Sequence, residues 1–178
     1  RAQRISSFIY PLLSEYSKVL DFGCGDLLIA ENIQKNRNCS IIGIDIINMN
    51  FTKLPLKIYN GKKIPFKNKS FDVTYAAFVL HHTANVKDLL SECIRVTKGR
   101  LIILEDVYHS KLELLLLKIF DSSNKLLSLE MNLPFNFKTE NEWVSLFNEL
   151  NLRKIKVKKI RPNPIRPTRH RMFILGIS

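Results

Sequence analysis

The run KVLDFGCG at residues 18–25 constrains this chain more than any other feature. A short, mostly apolar stretch ends in two closely spaced glycines, the pattern of a buried strand that turns sharply into the next element. Beyond it, Leu27, Leu28, Ala30 and Ile33 fall at near-helical spacing within residues 26–34, and residues 40–47 form a second β-branched run interrupted by Gly43 and Asp45. Strand, glycine turn, helix and strand make a β-α-β unit, with parallel strands and a right-handed crossover.

The alternation continues. Residues 56–59, 71–76 and 100–105 read as further strands. Val86, Leu89, Leu90, Cys93 and Ile94, with Thr97 continuing the row, give the stripe of a helix lying on a sheet, ended by Gly99. Residues 111–120 are apolar nearly all round, so that helix is buried or covers something. Thr139 and Glu142 form a T-x-x-E capping box, followed by Trp143, Leu146, Phe147 and Leu150 on one helical face. Residues 154–158 alternate as KIKVK, a half-buried strand with its lysines on the wet side, and residues 172–177 form a last strand. The Pro-rich residues 161–167 read as the loop between them. No repeat or boundary divides the 178 residues, a length that suits one domain.

Charge and cysteine content narrow the classes. No apolar run approaches the roughly 20 residues that span a bilayer. Cys24, Cys39 and Cys93 are odd in number and widely spaced, so neither a disulfide framework nor a CxxC metal pair is expected. A reducing cytoplasm fits that cysteine set best; no signal peptide is read, in a sequence that starts at Arg1 rather than Met. No metal site is expected. The net charge of +12 attracts anions of some kind, although solvated lysines on an ordinary surface give the same count.

The glycine turn bears on chemistry. Glycine lets the backbone turn there and lets a ligand approach it closely. Asp45 follows about 20 residues on, where a carboxylate accepts both hydroxyls of a ribose. A dinucleotide site needs a third glycine and an open helix N-terminus for pyrophosphate. Here Asp26 and Leu27 occupy those positions, and the carboxylate caps a helix but repels phosphate. A sulfonium cofactor meets no such conflict, so the residues argue for S-adenosylmethionine over NAD.

From Val19 to Asp106 the chain resembles the class I methyltransferases, in particular the small-molecule branch with the ubiquinone and menaquinone methyltransferases. VLDFGCG resembles the family's glycine-rich loop, IIGIDI its second strand, IPFKNKSFDVTYAAFVLHH its run into the fourth strand, and LLSECIRVTKGRLIILED its subsequent helix and fifth strand. The resemblance implies an α/β, Rossmann-like fold: a seven-stranded, mostly parallel sheet with helices on both faces and an antiparallel last strand. It implies S-adenosylmethionine as cofactor. Gly23, Cys24 and Gly25 would lie against its methionine portion and Asp21 would hold its amino group. Asp45 and Ile46 would flank the ribose, Asn60 and Gly61 would meet the adenine, and Ala77 and Phe78 would sit under the sulfonium. The chain departs from the family at Leu27, where a third glycine is usual, at Asn60, where an acid is usual, and at Lys98-Gly99-Arg100, a shortened Lys-Pro-Gly-Gly turn. A substrate lid is expected at residues 107–138.

Methyl transfer asks for in-line positioning and, for a protonated nucleophile, a base. His82, or its neighbour His81, is the candidate base; a histidine packed at a helix start fits the same pattern. Glu105 and Asp106 stand where open α/β sheets bind ligands, able to orient an acceptor or to cap the next helix. Cys24 between its glycines reads as a small packing residue. The expected partner is a small-molecule acceptor, an apolar one if residues 112–120 line its pocket. The basic stretch after Glu149 reads as a solvated strand face or as a peripheral contact with anionic lipid, with RNA behind it. Competing readings are an RNA or protein methyltransferase and a non-catalytic cofactor-binding protein. Oligomeric state is not legible.

Overall fold

The structure is a computed structural model that describes residues 1–125, 134–162 and 168–177. Helix α1 (Ala2–Ile9) comes first, followed by β1 (Lys18–Phe22), α2 (Leu28–Gln34), β2 (Ser40–Asp45), β3 (Leu56–Ile58) and β4 (Phe71–Ala77). A 3-10 turn at Leu80–His82 leads to α3 (Val86–Val96), β5 (Thr97–Val107), α4 (Lys111–Lys125), α5 (Glu140–Glu149), β6 (Arg153–Ile160) and β7 (Arg169–Gly176).

The seven strands form one sheet in the order β3-β2-β1-β4-β5-β7-β6. β1 to β5 pair in parallel, and β7 runs antiparallel between β5 and β6. This is the expected Rossmann-like sheet with its last strand reversed. The chain steps outward from β1 to β3, then returns to lay β4 on the other side of β1. At that reversal the connections leave the sheet in opposite directions, and a crevice opens over the C-terminal ends of β1 and β4.

Strand alternation separates two cores. On one face Leu20, Phe22, Ile103 and Phe173 meet Leu90 and Cys93 of α3 and Trp143 and Phe147 of α5. On the other, Val19, Tyr75, Ile102 and Met172 meet Ile5 and Ile9 of α1 and Ala30 and Ile33 of α2. The capping box at α5 forms as read: the Thr139 side chain accepts from the Glu142 N–H, and the Glu142 carboxylate accepts from the Thr139 N–H at 2.7 Å.

The structure corrects several expectations. Helix α2 begins at Leu28 because Leu27 adopts φ 60° and continues the turn; Leu27 rather than Asp26 is therefore the N-cap, and Asp26, one residue earlier, accepts the Leu28 N–H at 3.1 Å. α3 ends at Val96, and Gly99 lies inside β5 rather than ending the helix. The Thr97 hydroxyl binds back to the Cys93 carbonyl at 2.6 Å and meets the Thr74 hydroxyl at 2.5 Å, which draws the chain straight into the sheet. Gly99 is needed for close approach, since a Cβ there would stand 2.8 Å from the Asp72 carbonyl oxygen. Helix α4 is not buried all round: Leu117 packs inward while Leu112, Leu115 and Ile119 face solvent. β6 is exposed on both sides over most of its length, Ile155 included. Residues 126–133 of the expected lid and 163–167 of the Pro-rich link lie outside the described residues. No helix among the described residues is long and apolar enough to cross a membrane.

Candidate functional site

The β1–α2 turn shapes one wall of a cavity of about 690 Å³ at the crevice. Gly23 has φ +67° and Gly25 φ +50°, in the left-handed region that side chains disfavour. A Cβ on Gly23 would fall 2.2 Å from the Val79 Cγ2, whereas one on Gly25 would meet nothing within 4 Å and would project into open space. The two glycines therefore do different things. Gly23 lets the β4 turn close onto the loop, and Gly25 leaves room for a ligand.

At the end of β2, Asp45 ties the turn together. Its Oδ2 accepts the Gly25 N–H at 2.9 Å and its Oδ1 accepts the Ile46 N–H at 2.7 Å. Each oxygen keeps a lone pair for a hydroxyl donor. Asn60 and Gly61, past the end of β3, form the opposite wall with Tyr59 and Lys62. The Asn60 carbonyl oxygen accepts the Lys62 N–H at 3.1 Å and holds a tight loop, with Gly61 at φ +73°.

Asp21 lies beneath the turn, 2% exposed. Burial pushes its pKa up to about 7; the Tyr75 hydroxyl beside it opposes this, and the nearby Asp45 and Asp26 reinforce it. This carboxyl has no cation paired with it among the described residues. Cys24 turns its sulfur inward against Gly43, and burial holds its thiol well above the usual range, which excludes an activated thiolate.

The turn after β4 is held from β5. Glu105, wholly buried, accepts the Leu80 N–H through Oε1 at 2.8 Å and meets the His81 Nδ1 through Oε2 at 2.5 Å. His81 is itself buried, stacked on Phe137 at 4.6 Å between ring centroids, with the His82 ring 4.0 Å away. His82 lines the cavity beside Thr83, Asn85 and Asp88. On the other face of β5, Asp106 pairs with His170 of β7, whose ring meets Phe78 edge-on at 5.5 Å.

The structure thus brings Gly23, Gly25, Asp45, Ile46, Asn60, Gly61, Phe78 and His82 around one cavity, whereas Asp21, Cys24, Ala77 and His81 are not among its lining residues. Sequence reasoning missed Met49, Tyr59, Lys62, Val79, Asn85 and Asp88. The signal available for Asp88 was an acid in the first turn of a helix starting just past the β4 turn. No group of three or more metal-ligating side chains occurs among the described residues.

Residues 20–103 match the family model described as a methyltransferase domain. An uncharacterized protein of Methanocaldococcus jannaschii is 37% identical over 86 residues, which are 45% of this chain and 32% of that protein. The chain therefore spans about a third of the length of this curated relative. Among solved structures, the Haloferax volcanii complex between the Trm112 methyltransferase activator and a methyltransferase superposes with a TM-score of 0.78 at 13% identity, over 99% of this chain and 90% of the other. YcgJ of Bacillus subtilis gives 0.70 at 15% identity over 97% of both chains. Geranyl diphosphate C-methyltransferase of Streptomyces coelicolor, solved with Mg2+, geranyl diphosphate and S-adenosylhomocysteine, gives 0.75 at 11% identity over 98% of this chain and 78% of that one. The sheet is the class I methyltransferase fold.

Proposed function

With residues 20–103 matching a methyltransferase domain on the class I fold, we propose that this protein transfers the methyl group of S-adenosylmethionine to a small, apolar acceptor. The observation that carries the reading is the cavity of about 690 Å³ walled by Gly23, Gly25, Asp45, Asn60 and Gly61, one contribution from the end of each of the first three strands. The open space over Gly25 and the cation-free carboxyl of Asp21 fit an amino acid tail bearing an ammonium group. Asp45 offers acceptors to a ribose, and Asn60 and Gly61 bound the adenine end. Ala77 and Phe78, where β4 ends, stand under the sulfonium.

When bound, the cofactor supplies a methyl group on a sulfonium, open to in-line attack by an acceptor lone pair. The chain itself binds, orients and excludes water. Ile46, Ile47, Met49, Phe78 and Val79 give the cavity its apolar walls. His82 takes the proton of an acceptor that loses one; His81 acts by fixing its neighbour.

The test is thermal unfolding with and without S-adenosylhomocysteine. At about 100 times its dissociation constant a ligand adds roughly 2.7 kcal/mol, a rise of several degrees for a domain of this size. A saturable rise, together with transfer of labelled methyl into the organic-soluble fraction of an extract, is the expected result. No rise would leave the fold without its activity. The likeness to the Haloferax methyltransferase solved with Trm112 supports a second reading, an RNA or protein methyltransferase that needs an activator subunit; label appearing in macromolecules would favour it.

A further inference from the structure

Nine of the chain's 28 Lys and Arg residues, and none of its 16 Asp and Glu, lie beyond Glu149. The preceding 149 residues hold the remaining 19 cations against all 16 acids, so most of the +12 charge belongs to the final stretch. Overall composition does not explain such a division.

The fold puts this charge on one line. β6 is an edge strand with only β7 beside it. Arg153, Lys154, Lys156, Lys159 and Arg161 are exposed and Lys158 is half-buried, and none of the six has a carboxylate partner among the described residues. At about 3.3 Å per residue the row runs about 25 Å along the edge. The two remaining described cations are paired: Arg169 with Glu113 at 3.0 Å, and Arg171 with Glu140 at 2.5 Å.

The Arg169–Glu113 pair fixes where the line ends. It ties the first turn of α4 to the start of β7, and the start of β7 lies beside the end of β6, with Ile160 opposite His170. The charged edge therefore reaches the corner where α4 begins. There α4 presents Leu112, Leu115 and Ile119 to solvent, 67%, 54% and 55% exposed, at the i, i+3, i+7 spacing of one helical stripe. A row of unpaired cations beside an exposed leucine stripe combines the two signals that hold a protein on a bilayer surface, charge attraction and apolar insertion.

We propose that the β6 edge and the outer face of α4 form one docking surface for an anionic lipid bilayer. A nucleic acid backbone would use the cations but has no use for the aliphatic stripe, and among the described residues the exposed aromatics, Tyr16 and Phe51, lie on neither β6 nor α4 for bases to stack on. The proposal goes beyond methyl transfer and needs neither cofactor nor turnover, so its failure leaves that reading standing.

The experiment is flotation of the nuclease-treated full chain with phosphatidylcholine vesicles, with and without phosphatidylglycerol, at low and physiological salt. Binding to the anionic vesicles is expected, weakening as salt rises. The triple variant Lys154→Gln, Lys156→Gln, Lys158→Gln should bind about 100-fold more weakly, from about 1 kcal/mol per basic residue at the surface. Leu112→Ser, Leu115→Ser, Ile119→Ser together should weaken it about 10-fold or more with every cation in place. Unchanged circular dichroism and melting cooperativity in both variants keep loss of binding from being read as loss of fold. Absent binding, equal binding to neutral vesicles, an indifferent serine variant, or preference for single-stranded RNA over vesicles would each overturn the proposal.

Discussion

Asp21 couples the site to pH. Burial raises its folded pKa to about 7 from an ordinary 3.8, so between those values the native state holds a proton that the unfolded chain has released. Stability of the ligand-free protein therefore falls as pH rises from about 4 to 7 on account of this group. An ammonium set against the carboxylate reverses the preference, and binding then expels the proton. The affinity for S-adenosylhomocysteine should rise about 10-fold per pH unit below 7 and level off above it, as read by calorimetric titration. Asp21→Asn should flatten that profile; a flat profile in the unaltered protein would remove Asp21 from the amino-group role. The two glycines of the turn allow a cleaner separation of folding from binding. Gly25→Ala introduces a left-handed alanine, costing about 1–2 kcal/mol, and a methyl group in open cavity space, so affinity should fall while the fold survives. Gly23→Ala forces the same strain and a Cβ 2.2 Å from Val79, so its melting temperature should fall distinctly further. Equal losses of stability in the two variants would refute the division of roles.

At the scale of elements, the capping box of α5 gives a local test. Thr139→Ala removes the acceptor for the Glu142 N–H and should cost about 1 kcal/mol, roughly 2–4 °C in Tm for a chain of this length, with no change in affinity for S-adenosylhomocysteine; a melting point that does not move would mean the box is not formed. That box was legible because all its parts lie within four residues. β1 was read at its observed limits for a similar reason, since a parallel strand buried on both faces announces itself as an apolar run and glycines mark its end. Local signals fail where a partner decides. The apolar residues 112–120 identify a helix, but which of its leucines are covered depends on what packs against it. Glu105 and His81 stood out separately, yet nothing in the sequence between them, at a separation of 24 positions, shows that they meet. Helix α1 went unread for want of a side-chain cap, although Ile5, Phe8 and Ile9 carry the helical repeat that packs it on α2. At the site, glycines and Asp45 stood out because their spacing is set by the turn. Val79 and Asp88 did not, because they reach the cavity through a turn and a helix whose path no short motif specifies.

Taken as a whole, the molecule is electrostatically lopsided, and this has a consequence for stability independent of any ligand. Within the first 149 residues Glu15, Glu31, Asp72, Glu92 and Glu149 each hold a cation, whereas the β6 edge carries six cations with no described counter-charge. Repulsion within such a row works against pairing β6 to β7, while the unfolded chain relaxes the same charges apart. Salt shortens the reach of that repulsion, from about 30 Å at 0.01 M to about 8 Å at physiological ionic strength. The Tm of the ligand-free protein should therefore rise between those two conditions, opposite to the trend for a fold held by surface ion pairs. Neutralising Lys154, Lys156 and Lys158 to Gln should raise the low-salt Tm and flatten its dependence on salt, because the repulsion being screened has been removed. A Tm that falls with salt in the unaltered chain would mean that the paired charges elsewhere outweigh the edge. The same three substitutions are thus expected to strengthen the fold and weaken attachment to an anionic surface. That opposition separates a row of lysines kept for binding from one that merely solvates a strand, since a solvating row would give up stability or solubility without any loss of attachment.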